Sequence, residues 1–127
     1  MMPVSERMRQ RSFEAPYDRQ SYDKLKIDVV HLGTMMVSRN VYQPGWRWSE
    51  SVGPSVPTPG CQIRHVFYLV SGRMHVLMNG GSELEFGPGE VGLVPAGHDD
   101  WVVGDEPVTL IDFGGNKAPY PYLKRRS

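Results

Sequence analysis

At 127 residues, with 39% hydrophobic and 22% charged side chains, the chain fits one globular domain and is too short for two. Fourteen Lys and Arg balance fourteen Asp and Glu, so no net field draws it to nucleic acid or to an anionic membrane. No apolar run is long enough to span a bilayer, the start MMPVSERMRQRSFEAP carries charges where a signal peptide needs an apolar stretch, and Cys61 has no second cysteine to pair with; a cytoplasmic protein with a reduced thiol is expected.

Residues 1–25 read as a polar N-terminal arm with Pro3, Pro16, Arg7, Arg9, Arg11 and Arg19 among scattered apolar side chains. Its composition favours a disordered terminus, while Phe13, Tyr17 and Tyr22 offer a way to pin it across a neighbouring subunit or over a pocket mouth. From residue 26 to 113 the texture changes to short runs of Val, Ile, Leu, Tyr and Trp broken by Gly and Pro. Strands are predicted at 27–32, 34–42, 46–50, 62–70, 73–78, 83–86, 91–94, 101–103 and 108–113. Pro44-Gly45, Ser71-Gly72, Asn79-Gly80-Gly81, Gly87-Pro88-Gly89 and Gly104-Asp105 mark their turns. Many short strands with no crossover helix mean an all-β sandwich or barrel. Residues 114–127 read as a basic, proline-bearing, solvated tail.

Alternation along a strand turns Cys61, Ile63, His65, Phe67 and Leu69 to one face and leaves Tyr68 on the other. On a straight strand Cys61 and His65 would stand about 13 Å apart, at about 3.3 Å per residue, too far to share a metal. Pro59 and Gly60 make a bend plausible there. Cys61 is then either a metal ligand or a small buried hydrophobe. After the Pro95-Ala96-Gly97 turn, His98 and Asp100 share a face, opposite Asp99 and Trp101, although an Asp-rich surface turn gives the same letters. Thiolate, imidazole and carboxylate meeting in one barrel would suit Zn(II) or Fe(II). Trp46 and Trp48 share a face of the predicted 46–50 strand, where they either wall an apolar pocket or simply pack in the core.

Gly72, seven residues after His65, and Gly89-x5-Pro95-x-Gly97 resemble the two motifs of the cupin superfamily, G-x5-H-x-H-x3,4-E-x6-G and G-x5-P-x-G-x2-H. The glycine and proline skeleton matches and the ligands do not. Pro59-Gly60-Cys61 replaces H-x-H, His65 replaces Glu, and Asp100 replaces the last His, with His98 two residues earlier. Over about residues 26–113 the chain is also similar to a subgroup of small single-domain cupins marked by QPGWRWSE, Cys61-Gln62, His65, SGRMHV and Gly97-His98-Asp99 through Trp101-Val102-Val103-Gly104-Asp105-Glu106-Pro107. Phe67 and Asp100 depart from that subgroup, which tends to small residues there.

The resemblance implies a double-stranded β-helix, a jelly-roll-like barrel, and a small-molecule enzyme with a divalent metal, zinc or iron. The expected metal ligands are Cys61, His65 and His98; the expected catalytic residues are His65, His98 and Asp100; Trp46, Trp48 and Phe67 are expected to line a substrate pocket. Cupins support isomerase, cyclase, lyase and oxygenase chemistry, so the resemblance does not choose among them. Two other readings stay open: a metal-free enzyme with His65 or His98 as general base oriented by Asp99 or Asp100, and a non-catalytic module that binds or senses a small molecule. A homodimer is expected, because similar cupins are commonly dimers and the arm offers an edge strand to a twofold mate.

Overall fold

The computed structural model describes residues 7–114. The chain runs β1 (Asp18–Tyr22), β2 (Leu25–Leu32), β3 (Met35–Tyr42), a single helical turn α1 (Trp48–Ser51), a 3-10 turn (Gly53–Ser55), β4 (His65–Ser71), β5 (Met74–Met78), β6 (Glu83–Phe86), β7 (Val91–Val94), β8 (His98–Val102) and β9 (Val108–Asp112). Two antiparallel sheets result, one ordered β1-β2-β3-β9-β4-β7 and the other β6-β5-β8. The all-β expectation holds. None of the described helices is long and apolar enough to cross a membrane.

The sheets form because their strands alternate. On β4, His65, Phe67 and Leu69 are buried while Tyr68 is exposed; on β9, Val108, Leu110 and Asp112 are buried. Inward residues of the large sheet, among them Ile27, Val29, Leu69 and Leu110, meet Met74, Val76, Phe86 and Val102 of the small one. Phe67 and Phe86 join the layers edge-to-face at 5.1 Å. Gly92 makes room for that pair, since a Cβ there would lie 2.6 Å from Phe67 and 2.8 Å from Phe86.

Two predictions of local structure are corrected. The 46–50 strand is absent: Trp46 lies in a turn, Trp48 opens α1, and the expected pairing shrinks to one bridge between Arg47 and Trp101. The cause is Asp99, which accepts the Ser49 N–H at 3.0 Å and pairs with Arg47 at 3.1 Å, supplying an acceptor to the first turn of α1. The second correction lies inside the arm, where Asp18–Tyr22 is a strand paired with β2 in its own chain. Phe13 packs against Arg39, which also pairs with Glu14 at 2.8 Å and with Asp28 at 3.0 Å. Tyr17 meets His31 edge-on at 4.1 Å. Phe13, Glu14 and Tyr17 thus pack against β2 and β3 of their own sheet. The 114–127 tail, apart from Gly114, and residues 1–6 lie outside the described residues.

Candidate metal centre

The site forms where the two sheets face each other at the start of β4 and β8. His65 opens β4 and is held by β9: its Nδ1 lies 2.7 Å from Asp112 Oδ2, and Asp112 Oδ1 accepts the Gly114 N–H at 2.8 Å. With Nδ1 donating to Asp112, Nε2 is the atom turned inward, 3.9 Å from Cys61 Sγ. His98 opens β8 and donates from Nδ1 to the Pro95 carbonyl at 2.8 Å, so its Nε2 also turns inward. That Nε2 is buried with no hydrogen-bond partner among the described residues.

Cys61 arrives by the bend at Pro59-Gly60. It is outside β4 and bridges His98 instead, its N–H donating to the His98 carbonyl at 2.7 Å. Gly60 allows this approach, because a Cβ there would stand 2.9 Å from Asn79 Oδ1 and 3.0 Å from the His98 carbonyl. All three residues are buried, and their donor atoms lie within 4.8 Å of one another. A tetrahedral zinc site with bonds of about 2.1–2.3 Å has edges of about 3.5 Å, so modest contraction would close this set on an ion. Two imidazoles whose Nε2 atoms turn inward, His65 giving up its proton to an incoming ion, and one thiol are a donor set that zinc or iron accepts.

The surrounding charges set the protonation states of the metal-free protein. Burial opposes a charge on His65, yet its bonds to Asp112 and Cys61 prevail and raise its pKa to about 10. Burial pushes His98 down to about 4, helped by the nearby His65 charge and opposed by the Pro95 carbonyl. Asp100 is fully enclosed, and that burial pushes its carboxyl up to about 7 against the pull of His65. Its Oδ1 has no hydrogen-bond partner among the described residues. Asp99 faces the other way, toward Arg47 and Ser49, and orients neither histidine.

No family model matches the sequence, and no curated protein does. Solved structures do. A cupin 2 conserved barrel domain protein from Salinispora arenicola is 17% identical with a TM-score of 0.53, the match covering 85% of this chain and 87% of that one. The chain has the cupin fold. An oxalate decarboxylase from Lactobacillus farciminis matches at 18% identity and a TM-score of 0.56, over 80% of this chain but 32% of that larger cupin. A protein of unknown function from Rhizobium leguminosarum matches at 19% identity and 0.58, over 87% of this chain and all of its own. At such identities the likeness is one of fold.

Within this cupin frame the predicted residues separate. Cys61, His65 and His98 come together, and the two histidines border a small cavity of about 10 Å³ with Asp100, Phe67, Tyr42 and Asp112. Trp46 and Trp48 do not line it; both are core residues, Trp46 packed edge-to-face on Tyr42 at 4.6 Å. Asp112 is the residue that sequence reasoning passed over. Its signal was present: a carboxylate ending the apolar face of Val108 and Leu110.

Proposed function

We propose that this cupin is a small-molecule enzyme that works with a divalent metal, zinc or iron, held by Cys61, His65 and His98. One observation carries the reading: three buried donors point at one another, and the His98 Nε2 among them has no other partner among the described residues. Bound there, the metal would polarise a carbonyl or lower the pKa of water. Asp112 orients His65 and strengthens it as a donor. Asp100, with a pKa near neutrality and a free Oδ1, is suited to hold or release a proton beside an oxygenated substrate. Isomerisation, cyclisation, lyase and oxygenase reactions, natural-product tailoring among them, all use those elements.

General-base catalysis without metal fits less well. His65 stays protonated at neutral pH and His98 is too weak a base. The cavity of about 10 Å³ accepts an ion or a water but neither a substrate nor a sensed small molecule, so it does not favour a non-catalytic binding module over an enzyme. Metal analysis of tag-free protein, before and after addition of Zn(II) or Fe(II), tests the proposal. One equivalent is expected in the parent, with losses in Cys61→Ser, His65→Ala and His98→Ala. No uptake by the parent would overturn it. Light scattering tests the homodimer; β1, paired with β2 in its own chain, forms one edge of the large sheet, the edge the arm would offer to a twofold mate.

A further inference from the structure

The small cavity raises the question of access, and a second, larger space answers it. The β6 and β7 strands lie at the edges of different sheets and are not paired with each other. Between them opens a cleft of about 600 Å³, lined by Val76, Met78, Leu84, Phe86, Leu93 and Val94 with Gly80, Ser82, Glu83 and Pro95 at hand. A volume of about 300–1,000 Å³ is what small-molecule sites require.

The register ties this cleft to the metal centre. Val76 pairs across the sheet with Asp100, Met78 with His98, and Val94 with His65. Paired residues carry Cβ atoms about 4.5–5.5 Å apart. Val76 and Val94 moreover line both spaces. These two valine side chains form a wall common to the cleft and the cavity that the histidines border.

Charge selects the occupant. Among the described residues no Lys or Arg lines the cleft, and Glu83, held by His75 at 2.8 Å, would repel an anion. We propose that the β6–β7 cleft is the binding site and entry route for a neutral, largely apolar molecule of one or two rings whose oxygen-bearing end reaches past Val76 and Val94 toward His98. The inference rests on the metal-centre reading for its chemistry and on the cleft alone for its location.

The test uses 2-naphthol as a neutral probe and 2-naphthoate as its anionic counterpart, with methyl NMR on metal-free and metal-loaded protein. Shifts at Val76, Met78, Leu93 and Val94 are expected from 2-naphthol, with 2-naphthoate weaker by about tenfold or more. Gly80→Phe fills the rim at a position where a Cβ meets nothing within 4 Å, so the fold is retained. It should weaken 2-naphthol by about tenfold with metal content unchanged. Val94→Ala should carry the shifts on to Leu110, whose methyls line the inner cavity beside His98. Shifts confined to the exposed Val70 and Val91, equal affinity for both probes, or an indifferent Gly80→Phe would overturn the inference, as would a dimer that covers the cleft. Metal analysis of the same samples separates the two ideas: probe in the cleft without metal uptake defeats only the metal reading, and metal uptake without cleft shifts defeats only this one.

Discussion

Replacing Asp112 with Asn probes the buried pair behind the metal centre. In the metal-free protein, burial works against a charge on His65, but the bonds to Asp112 and Cys61 lift its pKa from 6.5 to about 10. A folded pKa above the unfolded one stabilises the fold fully below about pH 6.5, and that contribution disappears as the pH rises through about 10. At about 1.4 kcal/mol per pKa unit the whole effect is about 5 kcal/mol, of which about 4 kcal/mol is present at pH 7. While His65 is protonated, Asn offers one acceptor oxygen to two buried donors, His65 Nδ1 and the Gly114 N–H, a cost of about 1–3 kcal/mol that is relieved once the neutral ring takes the tautomer in which Nδ1 accepts from the amide. Urea unfolding in chelator between pH 7 and 10 should show the parent losing several kcal/mol while Asp112→Asn stays nearly level. The windows of Asp100, lost between about pH 4 and 7, and of His98, gained between about pH 4 and 6.5, lie below this range. Parallel curves for parent and variant would refute the pairing argument.

Gly60→Ala should lower metal affinity by roughly 10–100-fold with the thiol intact, because the new methyl meets Asn79 and the His98 carbonyl and moves Cys61; competition with a chromogenic chelator measures it. Gly72→Ala combines a φ of +82° with a methyl driven into the Pro107 carbonyl, and a loss of about 2–4 kcal/mol is expected in thermal unfolding. Phe67→Ala removes the ring that joins the sheets through Phe86 and should cost about 3–5 kcal/mol by urea titration, with metal stoichiometry unchanged.

Most of the barrel was legible because Gly and Pro punctuate it and its strands alternate. The exceptions have identifiable causes. The β1 strand, Asp-Arg-Gln-Ser-Tyr, has no apolar alternation: its buried residue is Gln20, made tolerable by bonds to Asp18 at 3.0 Å and Tyr22 at 2.8 Å. Such a strand looks like a polar arm until its neighbours are known. Residues 46–50 alternate well, and yet Asp99 draws them into a helical turn from far along the chain. No local pattern carries that contact.

The site was legible by parity but not by distance. Alternation turned Cys61 and His65 to one side, and the straight-strand separation of about 13 Å would have kept them apart. The strand begins only at His65, so Cys61 is free to lie against β8 and close to 3.9 Å. The replaced cupin ligands make sense as a set in that arrangement. Moving an imidazole from position 100 to position 98 keeps its face but shifts it about 7 Å along the strand. Cys61 bridges that same residue. The thiol and the His98 ring are therefore neighbours across one backbone bridge beside the Gly60 bend, with the buried Asp100 carboxyl two residues further along β8. Because the bridge fixes Cys61 and His98 relative to each other, a metal held between them would depend on both residues together.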